Sequence, residues 1–483
     1  MTTLRFSATG DNLIHDGLYL QARSRAGGEG YDFTALYENV APFYKDFDIN
    51  WINQETLVTD ELPSSSYPCF CTPGALGRAV YDVGWRVISM SNNHSYDKGA
   101  QGIAATLRFW DDMPDDVVTT GLYAGEADYG NIPIQEKEGV RIAYLAYTET
   151  TNGLPTPSDA AANVIYTSQE DVIQQQIELA RQQADIVVVG VHWGVEGSHT
   201  PTDAQRALGQ KIADWGADVI IGTHPHVIQP VELLTAAGTG KTVPIAYSLG
   251  NFVSTQAAAN NMVGVILTFD ITKTTQPDGP ASASVGNVHA VPMVMHYDSN
   301  YTNARAYLYR DYTEELAAAH GVRARFSGFS KEYITQLLTE YISVMMITFT
   351  EADTASALAD ALTAFAQKGV VVDMICQSAP RAATIDFSFT MPASYFESAM
   401  QTISEYRTGA GSAPLISSGY SKINLFGEEM VTSCGVAALA LRTLRDAGIE
   451  VVLITTSDLD ISLLVRSENE DSAYDVLKKA FEL

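Results

Sequence analysis

Two short stretches hold most of the chemistry that this chain's residue types allow: Ser91-Asn92-Asn93-His94-Ser95-Tyr96-Asp97-Lys98-Gly99 and Gly222-Thr223-His224-Pro225-His226. Each follows a run of apolar, β-favouring residues, 84–90 and 217–221, and crowds nitrogen and oxygen donors onto a strand exit. Two imidazoles one residue apart in a tight loop can face neighbouring metal positions, with Asn and Asp supplying oxygen donors. That set suits a dinuclear metal centre. A chance grouping of surface histidines fits poorly. The chain has nine histidines, and His94, His192, His224 and His226 all fall at the ends of predicted strands.

Other segments add donors. Asp11, after the first apolar run, is either a metal ligand or a turn cap. Glu55, after the second, could bridge two ions. Asn93 beside the His94/Asp97 pair is hard to explain by packing. His192-Trp193-Gly194-Val195-Glu196 ends the very apolar run 186–191. A lone histidine there is ordinarily structural, yet Gly194 lets backbone come close. Gln229, Asn251 and Glu196 are candidates for orienting the ligands, with loop packing the competing role for Gln229 and Asn251. His199 is a candidate to line the cleft. Arg78 and Lys98 read as solvated surface residues.

The elements that must position these groups are legible in the hydrophobic pattern. Strands are predicted over 4–9, 47–53, 87–90, 141–147, 186–191, 219–222 and 244–249, with helices over 100–112, 169–184 and 203–215. Alternation of this kind predicts an α/β layered domain with a buried sheet, whose strand ends converge on one edge. Longer β segments over 262–272 and 285–296 predict an antiparallel closing portion, and a helix follows Ser330, a plausible N-cap.

Composition narrows the function classes. The chain has 483 residues, enough for two or three domains, and is 46% hydrophobic. Its net charge of −28 argues against nucleic acid or an anionic membrane surface as partner. A polyanionic substrate would need local positive charge, most simply a metal. Cys69, Cys71, Cys376 and Cys434 form no C-x-x-C pair and read as reduced. Met1 leads almost directly into a strand, and no stretch reaches the roughly 18 apolar residues of a membrane span. A cytoplasmic protein is therefore expected.

Taken in order, Gly10-Asp11, Asn53-x-Glu55, the 91–99 stretch, His192-Trp193-Gly194-x-Glu196, Gly222-x-His224-Pro225-His226-x-x-Gln229 and Ser248-Leu249-Gly250-Asn251-Phe252 resemble the CapA family of poly-γ-glutamate capsule synthesis proteins. That family is related to calcineurin-like metallophosphoesterases. The resemblance spans 1–340 and implies a layered β-sandwich flanked by helices, with two divalent ions (Mn, Fe or Zn) at one sheet edge. It implies that Asp11, Glu55 and His226 hold one ion. Glu55, Asn93, His192 and His224 would hold the other, with Glu55 bridging. His94, held by Asp97, would be the general acid. Where the phosphoesterase pattern has Asp-x-His at the first strand, this chain has Leu13. His15 or a water would have to fill that position. The expected activity is hydrolysis of a phosphate ester or related anionic small-molecule or polymer substrate. The rival readings are a non-catalytic metal-binding accessory to poly-γ-glutamate synthesis, and an amino-acid-binding regulator whose metal domain is inert.

The last 140 or so residues repeat a β-α-β-β-α pattern with a period of roughly 70. Ala366-Gln367-Lys368-Gly369-Val370-Val371-Val372 matches Arg445-Asp446-Ala447-Gly448-Ile449-Glu450-Val451, each with a glycine where a left-handed helix cap is needed. Ser421-Lys422-Ile423-Asn424-Leu425-Phe426-Gly427 and Gly435-Val436-Ala437-Ala438 resemble the tandem ACT domains of aspartate kinases, α+β ferredoxin-like units. The expected units are 341–415 and 416–483. The resemblance implies an amino-acid effector near Glu429, Met430, Ser433, Gly435 and Val436, and a homodimer formed through these units.

Overall fold

A computed structural model of the chain describes residues 1–154, 156–157, 160–275, 281–341, 344–379, 384–392, 395, 399, 402, 415–426, 435–457 and 460–481. It divides into two compact units, Met1–Ile334 and Thr335–Leu483.

In the first unit the strands are β1 (Thr2–Asn12), β2 (Ile49–Gln54), β3 (Val87–Ser89), β4 (Val118–Thr120), β5 (Ile134–Lys137), β6 (Val140–Thr148), β7 (Ile186–His192), β8 (Val219–Thr223), β9 (Val231–Thr235), β10 (Thr242–Ala246), β11 (Asn251–Val253), β12 (Val263–Thr274), β13 (Ser282–His296) and β14 (Arg305–Leu308). They form two sheets. One runs β14-β13-β12-β1-β2-β3-β4, with β11 paired in parallel to the end of β1. The other runs β5-β6-β7-β8-β10-β9. The sheets face one another: Phe6 of β1 lies 6.4 Å, centroid to centroid, from Tyr144 of β6, and Thr120 Oγ1 donates to the Tyr144 carbonyl. This is the layered sandwich expected from the sequence. All seven residues of β7 are buried, as a central parallel strand covered on both faces requires. The helices Glu170–Gln183 and Asp203–Trp215 cover its outer side through Ile173, Ile177, Leu208 and Ile212.

The parallel strands β1, β2 and β3 end on one edge, as do β7 and β8. Two glycines let the loops beyond them come close. A Cβ on Gly10 would lie 2.1 Å from the Gly250 carbonyl oxygen, and one on Gly222 would lie 1.9 Å from that of Tyr247. Neither neighbour is a flexible side chain, so Gly222→Ala must force β8 and β10 apart. We expect a loss of about 2–3 kcal/mol, measured by urea denaturation.

The second unit contains β15 (Val344–Asp353), β16 (Ile375–Gln377), β17 (Thr384–Pro392), β18 (Leu415–Phe426), β19 (Leu453–Thr456) and β20 (Asp460–Arg466), with helices Thr354–Gln367, Val436–Asp446 and Glu470–Ala480. The strand order is β16-β17-β15-β18-β20-β19. The duplication shows in the helix ends. Gly369 (φ 72°) and Gly448 (φ 75°) are both left-handed. Val370 N–H donates to the Phe365 carbonyl, and Ile449 N–H donates to that of Leu444, one Schellman motif in each repeat. Strands were expected over 370–375 and 450–454, but they start only at Ile375 and Leu453. Before each strand begins, the chain already touches its neighbour at isolated points: the Asp373 and Val452 amides donate to the Thr390 and Leu464 carbonyls. The helix expected over 393–406 lies largely outside the described residues. Among the described residues no helix is long and apolar enough to cross a membrane.

Candidate metal centre

Asp11, the penultimate residue of β1, is fully buried, as is Glu55 just past β2. One donor atom each from Asp11, Glu55 and His226 lies within 4.8 Å of the others. His226 Nδ1 sits 2.9 Å from Asp11 Oδ2, and Asn53 Nδ2 donates to Asp11 Oδ1 at 2.8 Å. Glu55 Oε1 is 3.7 Å from His226 Nε2 and 3.6 Å from His192 Nε2, beyond hydrogen-bond range of either.

A second group adjoins the first. His192 Nε2 is 2.9 Å from Asn93 Oδ1 and 3.1 Å from His224 Nδ1, while its Nδ1 meets Thr223 Oγ1 at 2.9 Å. His192 Nε2 thus stands between an amide oxygen and a second imidazole nitrogen, three donor atoms of the kind a divalent ion takes, gathered at one point. His224 (φ 99°) and His226 (φ 60°) both sit in the left-handed region. Bulky side chains adopt it at a cost of about 1–3 kcal/mol each, so the surrounding loop must hold them there.

His94 forms a third feature. Asp97 Oδ2 accepts from His94 Nδ1–H at 2.8 Å and from the Phe70 amide at 2.6 Å. The Phe70 ring meets His94 edge-on at 4.6 Å and His15 at 5.2 Å.

The donor set passes a test for a metal. Both oxygens of the Glu55 carboxyl are buried and have no hydrogen-bond partner, as do Asn53 Oδ1 and Asn251 Oδ1. Orphaned buried oxygens cost about 1–3 kcal/mol each, unless a cation takes them up.

Electrostatics point the same way. Burial pushes the Glu55 carboxyl well above the ordinary carboxylate range. Burial opposes the charged form of His226, but Glu55 and Asp11 outweigh it and raise its pKa to about 9. Burial and then His224 hold His192 well below its ordinary value, and burial lowers His224 to about 4. The metal-free cluster therefore holds a proton between Glu55 and His226 that a metal must displace. Affinity for Mn²⁺ should rise with pH towards 9, roughly tenfold per unit for each proton displaced. Calorimetry in buffers of different ionisation enthalpy would read that release directly.

Several expected residues take other places. Gln229 bonds to no histidine. Its amide donates to the Ser198 carbonyl and accepts from Gln205, which closes a capping box with Thr202. Asn251 Nδ2 donates to Gln256 Oε1 and the Asn261 carbonyl, again without a histidine. Glu196 is exposed and acts on His224 and His226 only through its charge. His199 is buried and held between the Ile228 carbonyl and Asn260. Arg78 pairs with Asp60 on the surface. In the second unit Gly435 (φ 91°) immediately precedes the helix Val436–Asp446, whereas Glu429, Met430 and Ser433 lie outside the described residues.

Sequence reasoning missed Asn152. Its Oδ1 accepts from Asn93 Nδ2 at 3.3 Å, and its Nδ2 lies 3.4 Å from His94 Nδ1. The only signal was Asn152-Gly153, a turn pair a few residues past the predicted strand 141–147.

Comparison with known proteins agrees with the two-part organisation. Residues 423–481 match the family described as "ACT domain". A chain of 31% identity over 127 residues is the aspartokinase of Geobacillus stearothermophilus, covering 26% of this chain and 31% of that protein. The crystal structure of aspartokinase alpha and beta subunits is similar at 30% identity, covering 29% of this chain and 94% of that one, with a TM-score of 0.27. The PGA biosynthesis protein CapA of Bacillus subtilis is 33% identical over 197 residues, 41% of this chain and 50% of that protein. The chain thus spans about half the length of that curated relative. Residues 5–256, just over half of the chain, match the family described as "Bacterial capsule synthesis protein PGA_cap". With its sandwich, its strand-end donors and this match, the chain belongs to the PGA_cap family of bacterial capsule synthesis proteins, joined to an ACT domain.

Proposed function

We propose that the first unit is a metal-dependent hydrolase acting on a phosphate ester or related anionic substrate, in the service of poly-γ-glutamate capsule synthesis. The observation that carries this is the Glu55 carboxyl, fully buried among His192, His226 and Asp11 with both oxygens unpartnered. Asp11, Glu55 and His226 would hold one divalent ion. Glu55, Asn93, His192 and His224 would hold a second. Bound there, such ions supply positive charge against an anionic substrate and polarise its oxygens.

The chain's own residues do the rest. Asp97 accepts the Nδ1–H of His94 and so supports the imidazolium form of the ring, whose Nε2–H would pass its proton to the leaving oxygen and leave a neutral imidazole. Phe70 fixes this pair twice, through its ring against His94 and its amide on Asp97. Glu196, exposed and close enough to act on His224 and His226 through its charge, adds negative charge, so neutralising an anionic substrate would fall to the ions.

A second reading, a centre that holds metal for a capsule-assembly role without turnover, is favoured by Leu13, a buried apolar residue where the phosphoesterase pattern has a histidine. We also propose that the C-terminal repeats bind a small amino acid beside Gly435 and Val436 and join two copies of the chain. Cytoplasmic residence belongs to the same reading. The deciding experiment is a phosphomonoester and phosphodiester panel with Mn²⁺. Metal-dependent turnover supports hydrolysis; stoichiometric metal with no turnover moves the assignment to the accessory role.

A further inference from the structure

Asp11 does not stand alone on its sheet. It is in register with Asn53 of β2 on one side and with Asn251 of β11 on the other, all three strands being parallel. Residues in register across neighbouring strands send their side chains to the same face, so Asn53 and Asn251 flank Asp11 in one row, beside a local irregularity of β1 at Asp11.

The two flanking amides differ in how they are held. Asn53 turns its nitrogen towards Asp11, donating to Oδ1 at 2.8 Å, so its oxygen is directed away from that carboxylate atom. Asn251 has its nitrogen tied elsewhere, to Gln256 Oε1 at 2.8 Å and to the Asn261 carbonyl at 3.2 Å. Reversing the amide would set oxygen against that carbonyl, so the bonding network fixes which atom is which. Asn251 Oδ1 is what remains. It is buried, the residue is 0% exposed, and the oxygen has no partner. A buried carbonyl-type oxygen left free while its own nitrogen is anchored twice is preorganised to accept something.

We infer that Asn251 Oδ1 is a ligand oxygen for the ion that Asp11, Glu55 and His226 would hold, supplying the donor that Leu13 cannot. The inference rests on the metal-centre reading above. Leu13 is 2% exposed and offers no donor atom. His15 is the rival for the position: its Nδ1 lies between the Leu13 carbonyl (3.2 Å) and the Thr255 amide (3.3 Å), and its ring stands edge-on to Phe70. That leaves Nε2 as the atom it would offer, so the two candidates are separated by the variants below. Exchanging an imidazole for an amide oxygen leaves the site with one nitrogen donor and oxygen donors otherwise. Such a set suits Mn²⁺ or Mg²⁺ better than Zn²⁺.

The test is calorimetric titration of the full chain, stripped of metal by EDTA, with Mn²⁺. Wild type is compared with Asn251→Leu, Asn251→Asp and His15→Leu. Asn251→Leu should weaken one class of site by about 10–100-fold. Asn251→Asp, which keeps an oxygen but loses both nitrogen bonds, should retain that site or tighten it. His15→Leu should leave it unchanged. The inference is overturned if Asn251→Leu binds as wild type, if Asn251→Asp is as weak as Asn251→Leu, or if the loss follows His15→Leu. Should Asn251→Leu fail to fold, the Asn251→Asp and His15→Leu results decide alone. A wild type that takes up no Mn²⁺ would instead remove the metal-centre reading itself, so the two failures are distinct.

Discussion

Glu55→Gln should strip metal from the protein and, in the metal-free form, leave the fold more stable than wild type at alkaline pH. The reason is the same for both effects. The carboxyl is fully buried, its oxygens are unpartnered, and burial holds its pKa well above the ordinary 4.5. A carboxyl with a raised folded-state pKa binds more protons folded than unfolded. Its contribution is intact below the unfolded value and is lost as pH rises through the folded one. His226, raised to about 9 by the charges of Glu55 and Asp11, runs the same way as one pair with Glu55 and not as a second, separate slope. Metal-free wild type should therefore weaken steadily from mildly acidic pH upward. A neutral amide removes the Glu55 part of that slope, a gain of about 1–3 kcal/mol once the carboxyl would have ionised. With Mn²⁺ present the order should reverse, because only wild type gains binding energy. Urea denaturation at pH 6 and pH 8.5, with EDTA and with Mn²⁺, measures all four states. A metal-free wild type whose stability ignores pH would sink the account.

His94→Ala should lower metal-dependent turnover by about 10²–10⁴-fold, the usual worth of a positioned proton donor, while bound Mn²⁺ stays at the wild-type level. The separation is expected because His94 bonds to Asp97 and lies against Phe70, not within the Asp11, Glu55 and His226 group. Asp97→Asn should fall in the same direction. An amide cannot accept the Nδ1 proton and the Phe70 amide on one oxygen as strongly as a carboxylate does, so the ring loses its fixed tautomer. Metal content alongside initial rates gives the reading. Loss of metal in His94→Ala would show instead that His94 holds the centre together.

Much of this arrangement was legible because the donors follow apolar runs. Asp11, Glu55, His192 and His224 each sit within a residue or two of a strand end, and a buried strand announces itself through β-branched and aromatic residues. The helix Asp203–Trp215 was legible to the residue, since Thr202 and Gln205 form a capping box and Gly216 follows the last turn. What escaped lay where no period exists. The strands β4 and β11 have three residues each, too short for alternation to register. Phe70 and Asn152 reach the site from loops whose paths depend on the folded sheets. Gln229 takes the loop-packing role, one of the two open to it, for a related reason. Its position after His-Pro-His suggested a histidine partner, but the chain turns there and the amide meets Ser198 and Gln205.

The strand β18 is shared property. Its first half, to Tyr420, pairs with β15 of the first repeat, and from Tyr420 onward it pairs with β20 of the second. A duplicated module usually leaves a seam, a stretch of slack chain where one copy ends. Here the copies have been welded through a single extended backbone, and Tyr420 is stitched on both sides. Inserting one residue into that weld would turn every later side chain to the opposite face. The second copy would then present its oily side to water. The repeats can drift in sequence, but they can no longer be dealt out separately.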